Sequence, residues 1–196
     1  MKSVLCIIIL LILFSSGIYG QIKTYKPGEK ATYAIHYGFI TGGVGSLEVN
    51  SDTLGGKEVW HAKFSARTTG IADAIFKVID IYEVYIDPKT ELPAKSIRNV
   101  HEGRYHRYNV VTFDHETRSD SAILFSDLTG KHIAPKGIHD IISCFYYFRN
   151  HILPDGNKLK KGDILEINTW FTDQLYPIRL RFVGMDDVKV KGGKIK

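Results

Sequence analysis

Cysteine is nearly absent from this chain: the sequence has 2 in 196 residues, Cys6 and Cys144. Cys6 sits in an N-terminal apolar run that reads as removable, so the mature chain keeps one thiol and cannot close an intramolecular disulfide. Long hydrophobic runs are lacking too. Val4 to Phe14 is unbroken but falls short of the about 20 residues a helix needs to cross a bilayer. There is no GxSxG elbow, no glycine loop ending in GK[ST] and no HExxH helix, which removes the usual signatures of acyl hydrolysis, nucleotide binding and zinc proteolysis. Neither charge sign dominates, with 26 Lys plus Arg against 21 Asp plus Glu and a formal net charge of +5. So mild an excess bears on association with anionic surfaces before it bears on function.

What is present begins with order at the N-terminus. Met1 and Lys2 precede the apolar run, and Ser15, Ser16 and Gly17 lead to Ile18, Tyr19 and Gly20. Charge, apolar core and small-residue exit make a secretion signal over residues 1–20, with the cut before Gln21. Cys6 lies inside the run rather than behind it, which disfavours lipid attachment. The expected location is the periplasm or cell envelope of a bacterium, with no transmembrane anchor after cleavage and no nucleic-acid partner. Residues 21–196 show no repeat, low-complexity tract or linker, and read as one domain.

Period-two alternation dominates that domain. Lys30 to Tyr37 sets Ala31, Tyr33, Ile35 and Tyr37 on one face, predicted to meet the core. Further strands are predicted from Val44 to the Gly55-Gly56 turn, over Glu58 to Ala66, Val78 to Asp87, Ala94 to Glu102, Tyr105 to Phe113 and Ser119 to Ser126, with a turn over Asp127 to Lys131. Ile71 to Lys77 suggests a helical turn, and Asp87-Pro88 a tight turn. A helix is predicted from Asp140, whose carboxylate can cap the next amides, to about Asn150. Being apolar nearly all round, it must be buried against the sheet. Ile164 to Phe171 and Leu175 to Val183 read as a hairpin around Thr172-Asp173-Gln174, and Val188 to Lys196 as a strand, a turn and the start of a return. The Gly42-Gly43-Val44-Gly45 run fits a bent or closely packed strand. The expected fold is mainly β: a curved antiparallel sheet or half-barrel with one buried apolar helix.

Three stretches, GEKATYAIHYGFITGGVGSLEV (Gly28 to Val49), IDIYEVYIDPKTELPAKSIRNVHEG (Ile79 to Gly103) and HDIISCFYYFRN (His139 to Asn150), carry a resemblance. Together they resemble the bacterial family called domain of unknown function 3108. The resemblance implies an exported protein whose curved sheet wraps an apolar interior, similar to half-barrel envelope proteins that shelter lipid. It also implies a C-terminally shortened domain, since members continue through further strands. It transfers no catalytic or ligand residue.

The reactive side chains support no particular chemistry. Cys144 and His139 are five positions apart on a helix, about 140° around its axis, so they do not face each other. His101 and His106 flank the Gly103 turn, yet no third ligand accompanies them and no metal is expected. Asp80 and Glu83 fall on opposite faces of a strand, and hydrolysis of envelope polymers would require Asp80, Glu83 or Glu102 to share one polar cleft. No catalytic residue and no cofactor is expected. The leading expectation is non-enzymatic binding of a lipid or other apolar moiety, lined by Tyr33, Ile35, Tyr37, Trp60, Phe64, Tyr146 and Phe148. Arg98, Arg104 and Arg107, interleaved with Tyr105 and Tyr108, are candidates for an anionic group. The alternative is a scaffold that pairs with an envelope protein through an open sheet edge near Val188 to Lys196.

Overall fold

The computed structural model describes residues 24–38, 40–186, 188–190 and 193–195. The expected secretion signal and its cut lie outside the described residues. Strands β1 (Lys30–Tyr37), β2 (Ile40–Leu54), β3 (Lys57–Thr68), β4 (Val78–Ile86), β5 (Pro93–Glu102), β6 (Tyr105–Asp114), β7 (Ser121–Ser126) and β8 (Gly130–Pro135) form one antiparallel sheet in chain order. Each pairs with its sequence neighbours, so the sheet is a meander. It does not close into a barrel, and β1 and β8 remain its edges. A short helix, α1 (Gly70–Ile75), bridges β3 and β4 where a helical turn was expected. β8 is the strand the sequence reading missed, because the chain turns earlier than Lys131 and pairs with β7 from Gly130 onward.

Alternation sorts the side chains to two faces, and one of them is covered. Leu47 and Val49 of β2, Ala62 of β3, and Val84 and Ile86 of β4 are buried beneath α2 (Ile141–Tyr147), which contributes Ile142 and Tyr146. Farther along the same face, Val111, Phe113, Ala122, Leu124 and Ala134 pack under Ile138 and Trp170. Trp170 is carried by an interrupted hairpin: β9 (Ile164–Ile167), β10 (Trp170–Phe171), β11 (Gln174–Leu175) and β12 (Ile178–Arg181), with β9 paired to β12 and β10 to β11. At its tip Thr172 and Asp173 hold φ of 52° and 60°, the left-handed pair of a tight hairpin turn. β13 (Val188–Val190) and β14 (Gly193–Ile195) pair with each other as a two-stranded sheet of their own.

Helix α2 starts as predicted. Asp140 accepts from the amides of Ile142 and Ser143 at 3.1 and 2.8 Å, and the Ser143 hydroxyl accepts from the Asp140 amide at 3.0 Å. These bonds satisfy helix-end donors that would otherwise be buried unpaired. After Tyr147 the helix widens into one π-helical turn, Phe148–Ile152. There the neighbouring residues Asn150 and His151 both reach the buried Glu91 carboxylate, at 2.7 and 2.8 Å. Glu91 sits at φ 61° in the turn that follows Asp87, whose carboxylate accepts from Lys89 and Thr90. The left-handed backbone costs on the order of 1 kcal/mol, and the charge-assisted bonds to Glu91 hold it there.

The segment before β1 completes the core. Tyr25 is buried between Trp60 and Tyr146, with ring centroids 5.1 and 4.3 Å away. The Thr24 amide donates to the Asn150 side chain at 2.9 Å, and Arg149 pairs with Glu29.

One expectation needs correction. β1 buries none of its described side chains, and Tyr33 and Ile35 are each 50% exposed. α2 packs against β3 and β4, leaving the inward side of β1 uncovered. The glycine run is explained as expected: a Cβ on Gly43 would stand 2.8 Å from the Arg67 carbonyl oxygen, and one on Gly45 3.4 Å from the Phe64 ring.

The hydroxyls of Tyr25 and Tyr146 are buried without a hydrogen-bond partner among the described residues, a cost of about 1–3 kcal/mol each. Urea denaturation should therefore find Tyr146→Phe neutral or stabilising, and Tyr146→Ala destabilised by about 3–5 kcal/mol. His139 is buried against Ser143 and Tyr147, and burial, with a smaller contribution from His115, pulls its pKa from 6.5 to about 4. The unfolded chain then binds a proton that the folded chain refuses, so this contribution is intact above pH 6.5 and is lost as pH falls toward 4. Burial raises the Asp140 carboxyl, which acts in the opposite sense, so a variant comparison isolates the histidine. Between those limits His139→Gln should lose less stability than the parent by about 3 kcal/mol, read from urea midpoints at each pH.

Candidate functional site

The uncovered stretch of the inward face has a definite shape. β1, β2 and β3 supply Tyr33, Leu47 and Phe64, and the adjoining side of α2 supplies Ile141, Ile142 and Phe145. These six side chains line an open cleft of about 390 Å³. Their only polar atom is the Tyr33 hydroxyl. Phe145 is turned outward while Ile142 and Tyr146 are turned to the sheet, because a helix that presses one side on a narrow strip of strands leaves its flank in water.

Of the residues expected to line a ligand site, Tyr33 and Phe64 do so. Ile35 lies on the same face one alternation farther along β1, opposite Gly43. Trp60 and Tyr146 belong to the closed core with Tyr25. Phe148 is partly buried where α2 passes into its π turn. The Tyr37 side chain lies outside the described residues. Leu47, Ile141, Ile142 and Phe145 are the lining residues the sequence reading did not single out; strand alternation was the signal for Leu47 and the apolar girth of the Asp140 helix for the other three.

A cation terminates the row that runs from the cleft across the sheet. Leu47 pairs with Phe64, Phe64 with Tyr82 and Tyr82 with Arg98 on successive strands. The Phe64 and Tyr82 ring centroids are 6.3 Å apart, and the Arg98 guanidinium stands 6.0 Å from Tyr82 and 5.1 Å from Phe171. Stacking of this kind stabilises an arginine without using its donors. Nε and Nη1 of Arg98 have no hydrogen-bond partner among the described residues. Arg107 lies on the same face but is bound to Asp173 at 3.2 Å, and Arg104 stands exposed on the Gly103 turn. Of the three arginines named from sequence, the fold therefore brings only Arg98 into the cleft's row without an ion-pair partner among the described residues, its Nε and Nη1 buried beside Tyr82 and Phe171.

Catalytic arrangements find little support in the geometry. Cys144 is buried, and burial followed by the nearby Asp140 charge pushes its thiol up to about 12, so the nucleophilic thiolate is suppressed. His101 and His106 do meet across the turn, with ring centroids 4.7 Å apart, yet among the described residues no group of three or more potential metal ligands assembles. Glu83 bonds His61 at 2.8 Å, while Asp80 accepts from the His101 amide at 3.2 Å. Asp80 and Glu83 stand on opposite faces of β4, so these two carboxylates do not converge. No helix among the described residues is long and apolar enough to cross a membrane.

A family model described as Protein of unknown function (DUF3108) matches residues 32–196, and the chain belongs to that family. No curated protein and no solved structure matches it.

Proposed function

We propose that this protein binds the hydrocarbon chain of a single-chain acidic amphiphile, without catalysis, in the cell envelope. The observation that carries the reading is the cleft between β1 to β3 and α2, walled by aliphatic and aromatic side chains and left open beside two filled stretches of the inward face. Its volume of about 390 Å³ lies at the low end of small-molecule sites, which span about 300–1,000 Å³, and suits one chain. Arg98, across Tyr82 from the cleft and with Nε and Nη1 buried and lacking a hydrogen-bond partner among the described residues, supplies the charge that an acidic head requires. The envelope assignment rests on the order of charge, apolar run and small residues over 1–20.

Each buried methylene contributes about 0.8 kcal/mol. Titration with straight-chain alkanoates should therefore show affinity rising about fourfold per added carbon until the cleft is full, then levelling. Phe145→Glu, at an exposed helix position, should weaken binding by about tenfold or more, given the cost of setting a carboxylate in an apolar wall, with an unchanged circular dichroism spectrum. Affinity independent of chain length, or untouched by Phe145→Glu, rejects the reading. Arg98→Gln should weaken alkanoates relative to alkanols of equal length by about tenfold, the worth of a charge-assisted bond. N-terminal sequencing of protein recovered from an envelope fraction should begin at Gln21.

A further inference from the structure

We infer that the end of the sheet carrying α1 docks on the surface of an anionic lipid bilayer. α1 buries none of its residues, and Ile71, Ile75 and the following Phe76 are 71%, 79% and 53% exposed. A helix this short, with no side in the core, has no folding reason to present large apolar side chains to water.

The segment is nonetheless braced. The Thr69 amide donates to the Gly42 carbonyl at 3.1 Å, and the Gly103 amide to the Lys77 carbonyl at 2.8 Å. Thr68 ties the two ends together, its hydroxyl donating to Asp73 at 2.8 Å and accepting from the Val78 amide at 2.9 Å. Phe76 lies so close over Gly103 that a Cβ there would come within 2.6 Å of its ring. The apolar side chains are thus held out by a supported loop that spans from β2 to the β5–β6 turn.

Cations surround them. Arg67, Lys77 and Arg104 are exposed, and none makes an ion pair among the described residues. Arg67 and Lys77 line a groove of about 280 Å³ under α1 with Thr68, Asp73 and Ile79. Asp73 is the one carboxylate in it, and its oxygen is engaged by the Thr68 hydroxyl. Two cations against one anion leave the groove electropositive and of a size to take a phosphate oxygen cluster. Protruding apolar side chains with flanking Lys and Arg are the requirements for attachment at the interface of an anionic bilayer. The formal net charge of +5 acts in the same direction. The strand register sets Ile35 opposite Gly43, and Gly43 opposite Thr68, so the exposed side chain next to the cleft stands at this same end.

The test is co-sedimentation of the purified full-length mature protein with vesicles of phosphatidylglycerol and phosphatidylcholine in equal parts, against phosphatidylcholine alone. Binding should favour the anionic vesicles and fall with added salt. Ile71→Ser with Ile75→Ser should cut partitioning by about tenfold or more, and Arg67→Gln with Lys77→Gln should reduce the anionic preference by about fivefold per cation. All four positions are in the open, so the fold should survive, as circular dichroism will show. Phe145→Glu should leave vesicle binding unchanged, which separates this surface from the cleft: failure of alkanoate binding with vesicle binding intact rejects the cleft alone. Equal binding by the parent and the isoleucine variant overturns the inference, as does no vesicle binding by the parent. A concentration-dependent dimer that the isoleucine substitutions abolish also overturns it, by assigning the surface to a second copy of the chain.

Discussion

One constraint governs this molecule: an open eight-stranded sheet presents far more apolar face than a helix of two turns can cover. The burial that stabilises the fold therefore has to be assembled from several small pieces. α2 lies over β3 and β4, Ile138 and Trp170 over β6 to β8, and Tyr25 fills the gap between Trp60 and Tyr146. Each piece is fixed by polar bonds at its margins, with Asp140 and Ser143 at the helix start and Glu91, Asn150 and His151 at its end. Where the pieces run out, beside β1, the apolar face stays open, and that remainder is the cleft.

Much of this arrangement could be read from residues alone, because it is local. The alternation over Lys30 to Tyr37 and Val78 to Ile86, the Gly103 and Asp87-Pro88 turns and the Asp140 cap each depend on a few neighbours in sequence. The parts that escaped notice are set by tertiary contact. Tyr25 lies outside any periodic stretch, and nothing near it signals a partner at Tyr146. Glu91 reads as a turn residue until the helix end brings Asn150 and His151 to it. β1 looks two-faced and half-buried, yet which strands a helix will cover is decided by packing across the sheet. β8 is short, bears Lys131 and ends at Pro135, marks of an edge that alternation represents poorly.

The same division explains the candidate site. Tyr33 and Phe64 could be named because they occupy inward positions of alternating strands. Leu47, Ile141 and Phe145 could not be told apart from ordinary core, since the cleft exists only through the placement of α2. Arg98, Arg104 and Arg107 looked equivalent across one turn. The hairpin above them separates the three: Phe171 stacks on Arg98, Asp173 neutralises Arg107, and Arg104 on the turn stays in solvent.

Strand pairing restricted to sequence neighbours within the eight-stranded sheet has a bearing on how the molecule assembles. Each hairpin of the meander can close as soon as its own residues are available, which favours rapid, stepwise growth from local contacts. The seam between the leading segment and the helix is different, since the Thr24 to Asn150 bond joins residues 126 positions apart. A chain emerging N-terminus first must wait for three quarters of its length before Tyr25 finds its place. Until then the sheet grows with its aromatic interior unroofed, so the nascent polypeptide passes through a long interval in which a holding chaperone would find its widest target.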